Sequence, residues 1–170
     1  MSKRVLCVLF PEFEEIEALA PVDLLRRAGA QVTLASLTGE KLVTGRCGVT
    51  VQTEAALVDL AAGEFDLLLL PGGPGVKTMI SDGRPAKLAS EFAQAGKPVA
   101  AICAAPTVLA DAGLLAGRRF TAHFSVHGEL PQALARERVV EVDGLLTSRG
   151  AGTALDFGLA LVRRLFGETA

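Results

Sequence analysis

The chain has 170 residues, half of them hydrophobic, which suits one domain with a real core and excludes a disordered or solvating chain. Seventeen basic and 19 acidic residues give a formal net charge of −2, with no basic excess to attract nucleic acid or an anionic membrane. Trp and Tyr are both absent, which argues against an aromatic-lined sugar or single-strand groove.

Arg4–Phe10 is a continuous apolar run and reads as a strand buried on both faces. It is too short for the h-region of a signal peptide and meets Pro11 and the acidic stretch Glu12–Glu17. Glu14 to Ala28 is predicted as a helix closed by Gly29, and Gln31–Ser36 as a second strand. Residues 41–53, with Gly45 and Gly48, read as a short hairpin or edge ribbon. Asp66–Leu70 is the strongest strand and runs into Pro71-Gly72-Gly73-Pro74-Gly75. A helix over Pro85–Ala95 ends at Gly96, and a strand over Pro98–Ile102 stops at Cys103. Ala104–Ala112 reads as a helix, Arg119–His123 as a short strand, and Val139–Asp143 with Leu145–Ser148 as a hairpin around Gly144. Thr153–Phe166 is the closing helix. The alternation gives a single α/β domain over residues 1–170 with a mostly parallel sheet. The longest apolar runs, such as Leu67–Leu70, fall far short of the ~20 residues of a membrane-spanning helix.

Ligands in such sheets bind beyond the carboxyl ends of the strands, which directs attention to 71–75, 103–107 and 121–127. Cys103 stands at a sharp strand-to-helix turn, with small neighbours Ala104 and Ala105 and a helix N-terminus behind it that should favour the thiolate and lower its pKa. The alternative is an inert buried cysteine. The double glycine at Gly72 and Gly73 can expose main-chain N–H groups to an oxyanion, although an ordinary turn explains it too. It is neither a dinucleotide fingerprint nor a P-loop.

On a helical wheel Ala20, Pro21, Leu24 and Ala28 lie within about 40° of Glu17, so this acid interrupts an apolar stripe. Burial there would raise its pKa and suit it to carrying protons. Glu15 falls on a face shared with Val22 and Arg26, nearer solvent. His123 could assist Cys103 as base or proton carrier, whereas His127 reads as a surface histidine. Cys7 is expected in the core and Cys47 on the Gly-flanked hairpin. Three irregularly spaced cysteines and two histidines suggest neither a disulfide framework nor a metal centre, and point to a reducing, cytoplasmic setting. Asp23 and Arg27 form an i,i+4 pair that reads by default as a modest surface interaction. The segment 147–153 reads as a strand exit and cap.

Four segments together resemble the ThiJ/PfpI family in its DJ-one-like branch: Glu14-Glu15-Ile16-Glu17 with Pro21–Gly29, Leu70–Gly73, Ala100–Pro106, and Leu146–Thr153. The resemblance spans nearly the whole chain. It implies a flavodoxin-like three-layer sandwich of the class I glutamine-amidotransferase-like superfamily, no cofactor and no metal, and a homodimer with Asp23 and Arg27 near the subunit interface. Carried over residue by residue, the nucleophile is Cys103, its protonated partner Glu17, the pocket histidine His123, and the oxyanion or substrate-binding positions Gly72, Gly73 and Ala104.

Four departures stand out. Ala104 replaces the His that follows the nucleophile in the protease-like branch, which disfavours protease activity. Ala151 stands where the branch commonly has Pro, and Cys47 where relatives often carry an Arg reaching toward a neighbouring pocket. The chain also stops soon after Phe166, short of the C-terminal extension of longer members.

The resemblance implies an enzyme acting on small reactive carbonyls, the α-oxoaldehydes such as methylglyoxal, as a glutathione-independent glyoxalase or a deglycase. An alternative is an oxidative-stress sensor or redox-regulated chaperone working through Cys103 oxidation. A third is an isonitrile-hydrating or amidotransferase-like relative, and the absence of a His and Glu pair near the last helix counts against the amidotransferase version.

Overall fold

A computed structural model describes residues 2–168. Its elements, in chain order, are β1 (Arg4–Leu9), α1 (Glu15–Arg27), β2 (Gln31–Ser36), β3 (Leu42–Thr44), β4 (Thr50–Gln52), β5 (Ala55–Ala56) and β6 (Leu67–Leu70). There follow α2 (Val76–Asp82), α3 (Arg84–Gln94), β7 (Val99–Ile102), α4 (Pro106–Asp111), β8 (Val139–Val142), β9 (Leu145–Ser148) and α5 (Ala154–Phe166).

The continuous apolar runs lie where continuous burial predicts them. Val5–Leu9, Leu67–Leu70 and Val99–Ile102 are sealed from solvent on both faces and form the middle of a seven-stranded sheet ordered β5-β2-β1-β6-β7-β9-β8. All neighbours are parallel except β8 with β9, the hairpin predicted around Gly144. The helices α1 and α5 pack against each other on one face, and α2, α3 and α4 form the other layer. Gly158 brings α5 close to α1, since a Cβ there would sit 2.7 Å from Leu24 Cδ1 and 3.0 Å from Pro21 Cα. Residues 41–53 form a separate antiparallel ribbon, β3 with β4. This is the three-layer, flavodoxin-like sandwich expected from the sequence.

Two predicted elements differ. Arg119–His123 is not a strand: the place beside β7 is filled by β9, in register Ala100↔Leu146. Its middle, residues 120–122, is buried all the same. Its Thr121 N–H donates to Thr147 Oγ1 at 3.0 Å and its Thr121 hydroxyl donates to the Leu134 carbonyl at 2.7 Å. The helix expected over Ala104–Ala112 is shorter, because residues 103–105 are used in the turn itself. The sequence reading also missed α2, a seven-residue helix that follows directly on the Pro-Gly segment and buries Val76 and Met79. Among the described residues, no helix is long and apolar enough to cross a membrane.

Candidate active site

Strand order reverses between β1 and β6: the chain leaves β1 toward β2 on one side and leaves β6 toward β7 on the other. The loops at that switch point must separate and leave a crevice above the strand ends. The walls of the crevice are tied together by the main chain. Glu14 N–H donates to the Gly72 carbonyl at 2.9 Å, and a Cβ on Gly73 (φ 115) would stand 2.5 Å from the Glu12 carbonyl oxygen. Only glycine permits that backbone conformation and that approach together.

Cys103 leaves β7 with φ 66, a left-handed conformation rare for a residue with a side chain. The turn is held from both sides: Cys103 N–H donates to the Ser148 carbonyl at 2.9 Å, and His123 N–H donates to the Cys103 carbonyl at 2.8 Å. That second bond brings the extended 119–123 segment to the site without a strand. The half-buried sulfur opens onto a cavity of about 520 Å³ whose lining includes Glu17, Gly73, Ala104 and His123.

Glu17 is 1% exposed, in the apolar stripe where the wheel placed it. Its Oε2 accepts the Gly72 N–H at 3.1 Å. Burial pushes its carboxyl up to about 7; contact with the Cys103 thiol acts the other way, the Glu14 charge adds to the rise, and the amides of Gly72 and Ala151 oppose it. Burial also pushes the Cys103 thiol up, as do the charge and hydrogen bond of Glu17, while the amides of Ala104 and Gly73 pull it down. The expectation of a simply depressed thiol is therefore corrected. The helix behind the sulfur is one short element, and an enclosed acid faces it. Cys103 and Glu17 form a pair in which the ionisation of one opposes that of the other.

Gly72 has a different place from the one expected. Its amide is directed to Glu17 and not into the cavity, and a Cβ on it would lie 2.5 Å from both Cys103 Cβ and Glu17 Oε2. Gly150 has the same spacing effect from the other side. A Cβ there would be 3.2 Å from His123 Cδ2, 3.6 Å from Glu17 Oε1 and 3.9 Å from Cys103 Sγ, so the three side chains converge on one small opening.

Glu15 is not nearer solvent. It is 7% exposed beneath the ribbon loop, its Oε1 accepting N–H bonds from Cys47 at 2.7 Å and Val49 at 3.3 Å. Burial opposes its ionisation, but these amides and the Cys47 thiol hold its carboxyl below the usual range. The wheel could not see this, because the cover comes from residues 32 and 34 positions away in sequence. Glu14, Glu15 and Cys47 bring potential ligand atoms within 4.8 Å of one another, but Glu14 Oε2 already caps α1 through the Glu17 N–H and Glu15 Oε1 is taken by the loop.

Cys7 is buried and Cys47 exposed. Next to Cys47, Arg46 lines the Cys103 cavity. Arg46, Lys77 and Ser125 line the cavity without having been singled out in the sequence. His127 turns to the Ala122 carbonyl at 3.3 Å. Asp23 and Arg27 pair with each other at 2.7 Å in the open and are not part of the cavity. A larger groove of about 820 Å³ between β8 and α5 is lined largely by charged residues, several of them paired, Arg138 with Asp156 at 2.6 Å among them.

A cysteine on a strained strand-to-helix turn, facing a buried acid of raised pKa and two main-chain amides, defines a nucleophile-elbow site on a flavodoxin-like sandwich. The profile of the DJ-1/PfpI family matches residues 3–164, and the chain belongs to that family. It is 37% identical to Protein dj-1beta of Drosophila melanogaster over 172 residues, covering 99% of this chain and 92% of the relative. The crystal structure of that fly protein superposes with a TM-score of 0.94, covering 99% of this chain and 93% of the other. The chain is also 34% identical to Glutathione-independent glyoxalase DJR-1.2 of Caenorhabditis elegans, covering 98% of this chain and 90% of that one. Against Protein/nucleic acid deglycase 2 of Escherichia coli (strain K12) it is 35% identical, covering 88% and 90%.

Proposed function

We propose that this protein is a cofactor-independent cysteine enzyme of the glyoxalase/deglycase type, acting on α-oxoaldehydes such as methylglyoxal, with Cys103 as nucleophile and Glu17 as proton carrier. The observation that carries the reading is the Glu17 carboxyl, buried against the Cys103 sulfur and pushed up to about 7, where it can both give and take a proton near neutrality. The glyoxalase and deglycase names of two relatives supply the substrate class.

The chemistry follows from one proton shared by the pair. With the proton on Glu17, its charge no longer opposes the thiolate, and the amides of Gly73 and Ala104 favour it. The sulfur attacks the aldehyde carbon, Glu17 gives its proton to the oxygen, and a hemithioacetal forms. The Glu17 carboxylate then takes the proton from that carbon to give an enediol, exchanges it with cavity water, and delivers a proton to the neighbouring carbon, while the hydroxyl proton passes from the first oxygen to the second. The product is a lactoyl thioester, and one water releases lactate and restores the thiol and its proton. Main-chain N–H groups of Gly73 and Ala104 are placed to hold the oxygen where charge develops.

The test is lactate formation from methylglyoxal without glutathione, in chelator, by the wild type and by Cys103→Ala and Glu17→Gln. Turnover lost in both variants supports the reading, and wild-type activity in Cys103→Ser or Cys103→Ala refutes it. A second reading, redox sensing, rests on the same half-buried sulfur beside an acid able to hydrogen-bond a sulfinate. Peroxide should then raise the intact mass of a Cys47→Ser protein and not of the Cys47→Ser/Cys103→Ala double variant, since the exposed Cys47 would otherwise add its own oxygen. A homodimer fits the apolar side chains of Ile16 on α1 and Leu155 on α5, which are 54% and 63% exposed. Sedimentation would show a dimer that Leu155→Asp weakens.

A further inference from the structure

His123 sits at the start of a 3-10 turn, Phe124–Val126, and caps it with its own ring: the Ser125 N–H donates to His123 Nδ1 at 3.3 Å. Ser125 Oγ lies 2.8 Å from the same nitrogen. A main-chain N–H can only donate, so Nδ1 must present its lone pair and carries no hydrogen. The Ser125 hydroxyl therefore donates to Nδ1 as well, and the proton of the neutral ring is on Nε2. The opposite edge of the ring faces the reacting groups, since Cδ2, bonded to Nε2, is the atom that converges with Glu17 Oε1 and Cys103 Sγ around Gly150. Adding a proton at Nδ1 would break the cap. Burial and the charges of His127 and Arg46 disfavour a charged ring too, holding the His123 pKa down.

We propose that Ser125 is a positioning residue that locks His123 as the neutral Nε2–H tautomer, so that His123 serves the Cys103 cavity as a hydrogen-bond donor to a substrate oxygen and not as a base. The donor role rests on the carbonyl-substrate reading above, whereas the lock does not. It revises the sequence expectation of a base or proton carrier, and it gives a function to Ser125, which otherwise reads as a loop residue.

The test is a long-range 1H–15N correlation spectrum of the histidine rings, with His127→Gln assigning the signals. Wild type should show a single His123 tautomer, with Nδ1 unprotonated and Nε2 protonated. Ser125→Pro, which removes the main-chain N–H and the hydroxyl together, should gain the Nδ1–H form and lose on the order of tenfold in kcat with little change in KM, whereas Ser125→Ala, which keeps the N–H, should keep the wild-type tautomer. His123→Gln, which keeps a donor near the Nε2 position without a base, should exceed His123→Ala by on the order of tenfold. An Nδ1–H ring in the wild type or in Ser125→Ala, or a Ser125→Pro spectrum identical to the wild type, overturns the lock. Equal rates for His123→Gln and His123→Ala overturn the donor role. A wild type that forms no lactate removes the donor role together with the carbonyl reading, and the spectrum still decides the lock.

Discussion

Replacing Glu17 with Gln should change how stability depends on pH, independently of any substrate. The carboxyl is pushed from its ordinary 4.5 to about 7 by burial, so between those values the folded chain holds a proton that the unfolded chain has released. Its contribution to stability is fully present below 4.5 and is lost as the pH rises through about 7. A shift of that size corresponds to about 3 kcal/mol. Gln keeps an oxygen for the Gly72 N–H and cannot ionise. The variant should therefore match the wild type in acid and exceed it by about 3 kcal/mol above pH 7. With a urea m-value of about 2 kcal/mol/M, that is a rise of about 1.5 M in the midpoint. Urea titrations across the window measure it, and a Cys103→Ala background removes the thiol from the comparison. A stability difference that does not change with pH would refute the buried, proton-holding carboxyl.

Gly72→Ala drives a methyl between Cys103 and Glu17, both 2.5 Å from the new Cβ. It should cost about 1–3 kcal/mol, lower Tm by about 2–10 °C and abolish turnover with both reacting groups still present. Glu15→Ala strands the amides of Cys47 and Val49 and should cost about 2 kcal/mol, with faster hydrogen exchange confined to the ribbon loop. Cys103→Gly relieves the φ of 66 that Cys103→Ala retains. Both should be inactive, but Gly should be the more stable by about 1 kcal/mol in thermal melts, the reverse of the usual order within an element.

The sequence reveals most where burial is continuous or where a single residue breaks a pattern. The runs in β1, β6 and β7 are apolar throughout because both faces are covered, and Glu17 is conspicuous because it sits in the apolar stripe of its own helix. What escapes is whatever another segment supplies. Glu15 looks solvent-facing on its helix, yet the ribbon loop covers it. Arg119–His123 has strand-like residues, but β9 occupies the position beside β7. Arg46 reaches the cavity from the turn between β3 and β4 and Lys77 from the start of α2, and nothing in their neighbours marks them. Ser125 left a trace, two residues after a histidine at the head of a turn, but the same spacing occurs in many loops. The thiol pKa was misjudged because the sequence shows the helix behind Cys103 but not the burial of the sulfur, which with the charge and hydrogen bond of Glu17 outweighs it.

The most direct test of the central claim is methylglyoxal turnover in D2O, read as deuterium at C2 of lactate, with intact mass of Glu17→Gln followed in parallel. If Glu17 carries the proton through an enediol, lactate from the wild type gains solvent deuterium at C2, and Glu17→Gln stops as an adduct on Cys103 without releasing lactate. Lactate without deuterium at C2, or wild-type turnover in Glu17→Gln, would contradict the Cys103–Glu17 mechanism.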